Sequence, residues 1–129
     1  MSVATMANFY KIQKGRANFN GQTVDLLEVG FADPEKNPAI VRDAVEKLEA
    51  LAAAEPQYGG KLVFVNGPAS LPVAMALSHA VAHRYGAVAC FVPPEKGYVM
   101  AIAHGGDFAP GAFIPMEQVT KVTSVPASV

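Results

Sequence analysis

Three histidines and one short glycine-proline turn are the residues of this 129-residue chain whose types and spacing suit chemistry. His79 and His83 stand four apart, so on a helix they share one face with Cβ atoms roughly 5–6 Å apart. Such a pair supplies two ligands to one ion in helical metal sites; the alternative is two polar groups at a helix or subunit interface. His104 precedes Gly105-Gly106-Asp107, a flexible backbone able to bring an imidazole and a carboxylate to a ligand. Its alternative is a surface histidine ahead of a loop.

Asn66-Gly67-Pro68-Ala69-Ser70 follows the apolar run Lys61 to Val65 and precedes a helical pattern. Between a buried strand and a helix N-terminus, free N–H groups and the helix dipole attract anions. The segment lacks both the Gly-Lys-Ser/Thr ending of a phosphate loop and the Gly-x-Gly-x-x-Gly run, so a plain tight turn stands beside the ligand reading. Glu95 and Lys96 lie at the tip of a hairpin, where a charge pair is ordinarily just solvated. No Gly-x-Ser-x-Gly elbow is present, which disfavours a serine hydrolase. Cys90, inside an apolar run, reads as core.

The elements that must position these residues follow from periodicity. Asn8 to Gln13 and Thr23 to Phe31 read as two antiparallel strands around Asn20-Gly21, a dipeptide that tolerates positive φ at both centres of a tight turn. Asn37 as N-cap and Pro38 at the first helical position start a helix to about Glu55, with Val41, Ala44, Val45, Leu48, Leu51 and Ala52 on its apolar face. Arg42, Asp43, Glu46, Lys47 and Glu49 fall on the wet side. Lys61 to Val65 is a central strand buried on both faces. A second helix, about Leu71 to Tyr85 with Ser70 as N-cap, carries Arg84 as its one formal charge and must be covered on most sides. Ala87 to Val92 and Tyr98 to Ala103 are two further strands joined by Pro93 to Gly97, and a short strand is expected near Phe113 to Pro115. The order is ββαβαββ, a compact α/β domain over residues 8–119. Residues 1–7 read as a loose start and 120–129 as a flexible tail.

Composition sets the outer limits. With 51% hydrophobic and 16% charged residues the chain buries a real core and is no disordered segment. Ten basic against eleven acidic side chains leave a net charge of -1, so no positive field exists to hold long duplex nucleic acid. Apolar runs are broken well before 18 residues and no signal-peptide pattern opens the chain, which argues against membrane spanning and secretion. One cysteine suits a reducing cytoplasm.

The second half resembles the small stand-alone CRISPR-associated ring nucleases of type III systems, relatives of the Rossmann-like CARF domains that bind and degrade cyclic tetra-adenylate. The resemblance is carried by Leu62 to Val65, Gly67-Pro68, the helix ending His79-Ala80-Val81-Ala82-His83, Val88 to Phe91, the Pro93 to Gly97 turn and the strand ending at His104. It implies a homodimer with its second helices near the two-fold axis, Mn²⁺-dependent cleavage of the cyclic messenger, and a ligand sandwiched between dimers that stack into higher oligomers or filaments. His83 would do general acid/base work, with His79 its neighbour or a metal ligand. Asn66, Gly67, Pro68, Ser70, His104 and Asp107 would meet the ligand. The family carries Asp-Pro-Arg where this chain has Val92-Pro93-Pro94; Glu95 and Lys96 could replace them in kind, and Asp107 is another candidate. A metal-free route needs a histidine base on the ribose 2'-OH and a cation beside the phosphate, from His83 with Arg84 or Lys96. The alternatives are a messenger-binding sponge or sensor without cleavage, and a structural dimerisation module.

Overall fold

A computed structural model describes residues 7–122; the expected loose start and tail fall largely outside them. Strands β1 (Tyr10–Phe19) and β2 (Gln22–Phe31) form a hairpin paired along all ten residues, from Tyr10 opposite Phe31 to Phe19 opposite Gln22. Asn20 and Gly21 take φ of 52° and 75°, the pair of positive values that a tight hairpin turn matched to strand twist requires. β1 is longer than its expected end at Gln13. Tyr10 and Ile12 pack on one face of the sheet, Ala17 and Phe19 on the other. Lys14, Gly15 and Arg16 mark where the buried face changes sides, and there the alternation breaks.

Helix α1 (Asn37–Ala54) leads to β3 (Val63–Asn66), and α2 (Leu71–Ala82) to β4 (Ala87–Val92). β2, β3 and β4 are parallel neighbours. Because the chain steps across the sheet in one direction, two right-handed crossovers place both helices on the same face. There Leu27, Val29 and Val63 meet Ile40, Ala44 and Leu48 of α1 and Val73, Leu77 and Val81 of α2.

No helix covers the other face, which packs against itself: Phe64 lies between Phe19 and Tyr98, edge to face at 5.4 and 4.7 Å, with Leu26, Met100 and Ile114 around them. Connectivity forces this curl. Strands β5 (Gly97–Ala103), β6 (Phe113–Pro115) and β7 (Thr120–Lys121) complete one seven-stranded sheet of order β6-β5-β4-β3-β2-β1-β7. Flat, its edges would lie ~29 Å apart at about 4.8 Å per strand. Pro115 and Thr120 are separated only by the 3₁₀ turn Met116–Gln118 and Val119, a reach of at most ~19 Å at 3.8 Å per residue.

Several expectations are corrected. The tail was expected from Thr120, but Thr120 and Lys121 pair with Asn18 and Ala17. Lys36, not Asn37, is the N-cap of α1, while Ser70 caps α2 by position without bonding its amides. The two side chains bond each other instead, Ser70 Oγ donating to Asn37 Oδ1 at 2.6 Å. α2 ends at Ala82 rather than Tyr85, where Arg84 N and Tyr85 N both turn back to Val81 O. It is also not covered on most sides within one chain: Leu71 and Met75 are 74% and 64% exposed. Among the described residues no helix is long and apolar enough to cross a membrane.

Asp43, expected on the wet side of α1, is buried. Its Oδ2 accepts from Phe9 N at 2.8 Å and from Tyr10 N and Lys47 Nζ at 2.9 Å. These bonds fasten the start of β1 onto α1. Burial pushes the carboxyl up, but the Lys47 and backbone hydrogen bonds outweigh it and hold Asp43 below its ordinary 3.8. A depressed folded pKa stabilises at pH above 3.8, and that contribution is lost as pH falls through the folded value. Asp43→Ala, which leaves Lys47 and two amides without their partner, should cost about 3–5 kcal/mol in urea unfolding at pH 7. As pH falls from 3.8 through the folded value, the gap to the unaltered protein should narrow; a gap that is small or constant with pH would count against the ion pair.

Candidate functional site

The sheet places the candidate residues at two ends. At the carboxyl ends of β2, β3 and β4 stand the Asn66–Ser70 turn and, after β4, Glu95 and Lys96. His83 caps the C-terminus of α2 at the opposite end, with His104 beside it: His104 Nε2 lies 3.1 Å from Ala82 O, and its backbone N donates to Gly86 O. Asp107 follows in the same exposed loop. The six residues of β4 separate the two ends by about 17 Å. Glu95 and Lys96 thus do not meet His83 within one chain, because both follow β4 whereas His83 precedes it.

The Asn66–Ser70 turn is held closely. Gly67 has φ of 139°, and a Cβ there would overlap the Val29 carbonyl oxygen of β2. Only glycine allows this approach, and it leads the chain over the end of β2 into α2. The Ser70 to Asn37 bond draws the N-termini of α2 and α1 together at this end, where their unpaired N–H groups and dipoles add. Beneath the turn, between α2 and the sheet, lies an apolar cavity of about 220 Å³ lined by Val65, Ala69, Leu77, Ser78 and Cys90. Burial pushes the Cys90 thiol up, in keeping with an inert core residue.

Glu95 ends the 3₁₀ turn Pro93–Glu95, and Lys96 takes a left-handed φ of 55°. Lys96 N donates to Pro93 O, while its carbonyl accepts from Met116 N, so the backbone locks the turn to β6 and both side chains stay exposed.

His79 and His83 do share one helix face, with ring centroids 4.7 Å apart and planes at 88°. Both are exposed and line a groove of about 570 Å³ between α1 and α2 with Leu48, Ala52 and Met75. Two imidazoles offer two nitrogens, and among the described residues no group of three His, Cys, Asp or Glu side chains stands together. Mn²⁺ favours carboxylate, carbonyl and water oxygens. The donor set of one chain therefore does not fit a manganese site. Arg84, the alternative cation beside His83, is engaged elsewhere: Nη1 donates to Pro56 O at 2.9 Å and its guanidinium lies 4.5 Å over the Tyr58 ring.

Sequence reasoning missed two groups near the turn. Tyr10, read only as a strand residue, sends its hydroxyl to Pro68 O at 2.6 Å. On the opposite face of the sheet Glu28, paired across from Asn66, accepts from Lys121 Nζ at 2.7 Å. Burial first, and the charge of Glu28 second, push the nearby Tyr98 hydroxyl up, opposed by a hydrogen bond with Asn66. The Asp43 and Lys47 pair was legible as a helical i, i+4 spacing, but nothing local marked it as buried.

No protein-family model, curated protein or solved structure matches the chain.

Gly67→Ala should destabilise by about 1–3 kcal/mol through the strained backbone alone, with the overlap at Val29 adding to it. Denaturant melts measure the loss; an unchanged midpoint would mean that the turn does not press on β2.

Proposed function

We propose that the chain binds a cyclic oligoadenylate, cyclic tetra-adenylate first, at the Asn66–Ser70 end of the sheet, and linearises it to switch off a type III CRISPR response. The observation that carries the reading is the convergence of two helix N-termini on a glycine-proline turn beyond the carboxyl ends of three parallel strands. In α/β folds this is where anionic ligands bind, and the turn lies within the stretch that resembles the ring nucleases. On this reading the domain is Rossmann-like and CARF-related, cytoplasmic, and acts as a homodimer.

Cleavage requires two copies. The ligand turn and Lys96 of one molecule must meet His83 of another, since about 17 Å of sheet separates them within a chain; head-to-tail stacking or a filament supplies that arrangement. His83 takes the proton of a ribose 2'-OH, O2' bonds to the adjacent phosphorus, and the P–O5' bond breaks. The departing oxygen takes a proton from water, leaving a 2',3'-cyclic phosphate end. Lys96 of the copy whose turn holds the ligand balances the charge that develops on the phosphate. His104, whose ring lies 3.1 Å from Ala82 O beside His83, and Asp107 farther along its loop contact the far side of the ligand in such a stack.

The same separation favours a second reading, a protein that sequesters the messenger without cutting it. Incubation with labelled cyclic tetra-adenylate, with and without Mn²⁺, distinguishes the two on native and denaturing gels. A shifted complex with linear product is expected, with cleavage falling 10²- to 10⁴-fold in His83→Ala while binding persists. Mixing His83→Ala with Lys96→Ala should recover cleavage if the site forms between copies. An intact, shifted ligand selects the sequestering protein. No binding of cyclic tetra- or hexa-adenylate, and no ligand-induced thermal stabilisation, would overturn both in favour of a dimerisation module.

A further inference from the structure

Tyr10 has no exposed surface, yet it carries a hydroxyl, and the whole of its surroundings acts to aim that group. Its backbone N–H donates to Asp43 Oδ2 and its carbonyl accepts from Lys47 Nζ, so α1 holds both sides of the residue. Its ring stands edge-on to Phe31 at 5.4 Å. From this seat the hydroxyl donates to Pro68 O at 2.6 Å, across 58 residues of sequence. Among the described residues this is the one side-chain hydrogen bond accepted by a carbonyl of the Gly67–Ala69 turn. Burial pushes the hydroxyl up to about 12, so it stays protonated and remains a donor across the physiological range.

The consequence lies in the geometry of the peptide unit. In a trans peptide the C=O and the N–H point in opposite directions within one plane. Among the described residues no peptide bond is cis. Drawing Pro68 O inward to Tyr10 therefore turns the Ala69 N–H away from Tyr10, and among the described residues that amide donates to no acceptor of the chain. Neither Gly67, with its free φ, nor Pro68, which lacks an N–H, fixes that orientation by itself.

We infer that Tyr10 is a positioning residue that orients the Pro68–Ala69 peptide so that the Ala69 amide faces a phosphate of the bound ligand. The inference rests on the proposed binding of a cyclic oligoadenylate at this turn, and adds to it a residue outside the resembling half of the chain. Tyr10 touches no ligand. Its effect passes through the turn, so it belongs to affinity and not to bond cleavage.

Tyr10→Phe removes one oxygen and keeps the buried ring, and Tyr85→Phe, which loses the bond from Tyr85 to Asp25 at the other end of the sheet, serves as the control. Binding of cyclic tetra-adenylate should weaken about five- to tenfold in Tyr10→Phe and stay unchanged in Tyr85→Phe. Where cleavage is measured, KM should rise with kcat unaltered. The Ala69 amide resonance, read by NMR without ligand, should shift in Tyr10→Phe while the amides of β3 and the middle of α2 keep theirs. Equal affinity for the ligand in Tyr10→Phe and the unaltered protein overturns the positioning role alone. So does an equal loss in both tyrosine variants, which would mark a general effect of stability. Failure of the unaltered protein to bind the ligand overturns the functional reading, and an Ala69 amide resonance that is unmoved by Tyr10→Phe then removes the orienting bond as well.

Discussion

A linkage of four residues, Met116 to Val119, joins opposite edges of a seven-stranded sheet, and much of the architecture follows from that constraint. A sheet whose edges must meet so closely has to curl. Curling gives the face without helices an interior of its own, filled by Phe19, Phe64, Tyr98 and Met100. Two helices are then enough for seven strands, because they need to cover only the convex side. The long hairpin strands answer to both interiors at once, burying one face near the start of β1 and the other near its end.

The division between faces also divides the polar interactions. At the carboxyl end of the parallel strands, Asp43, Lys47 and Tyr10 form a buried chain that runs from helix to strand to turn. Such a network is stable only when nearly every member is satisfied, and one oxygen, Asp43 Oδ1, is buried without a partner. At the amino end the polar groups are paired differently: Tyr85 donates to Asp25, which also lies near Lys14 and Arg16, and Lys14 reaches Glu55 at 3.0 Å. That cluster links β1 and β2 to the end of α1 but touches neither the glycine-proline turn nor the histidine pair.

What the sequence made legible were elements with an uninterrupted period. The second strand, both helices, β4 and β5 all follow from alternation or from threes and fours, and Asn20-Gly21 marks its turn by φ preference alone. Features that depend on distant partners were not legible. The first strand looked finished at Gln13 because its buried face changes at Lys14 to Arg16. Asn37 and Ser70 each looked like the cap of its own helix, and no local pattern reveals that the two side chains satisfy each other. For the site, the residue types at Asn66–Ser70 and at His79 and His83 were apparent, whereas their separation is a property of topology. β4 lies between them, and a list of motifs in sequence order hides its length.

The two outer strands carry a consequence for self-assembly. β6 has three residues and β7 two, far fewer than the β5 and β1 strands that they pair with. An exposed edge of ordinary length is a template on which another chain can extend the sheet, and proteins with such edges must guard them. Here β7 pairs only Ala17 and Asn18 of β1, and the rest of that edge carries Lys11, Lys14 and Arg16, charges that discourage an added strand. Helix faces and the two ends of the sheet remain as the other surfaces through which copies can associate, with side chains and loops as the contact. An assembly of that kind can come apart when its cause is removed, which a continuous intermolecular β-ladder resists.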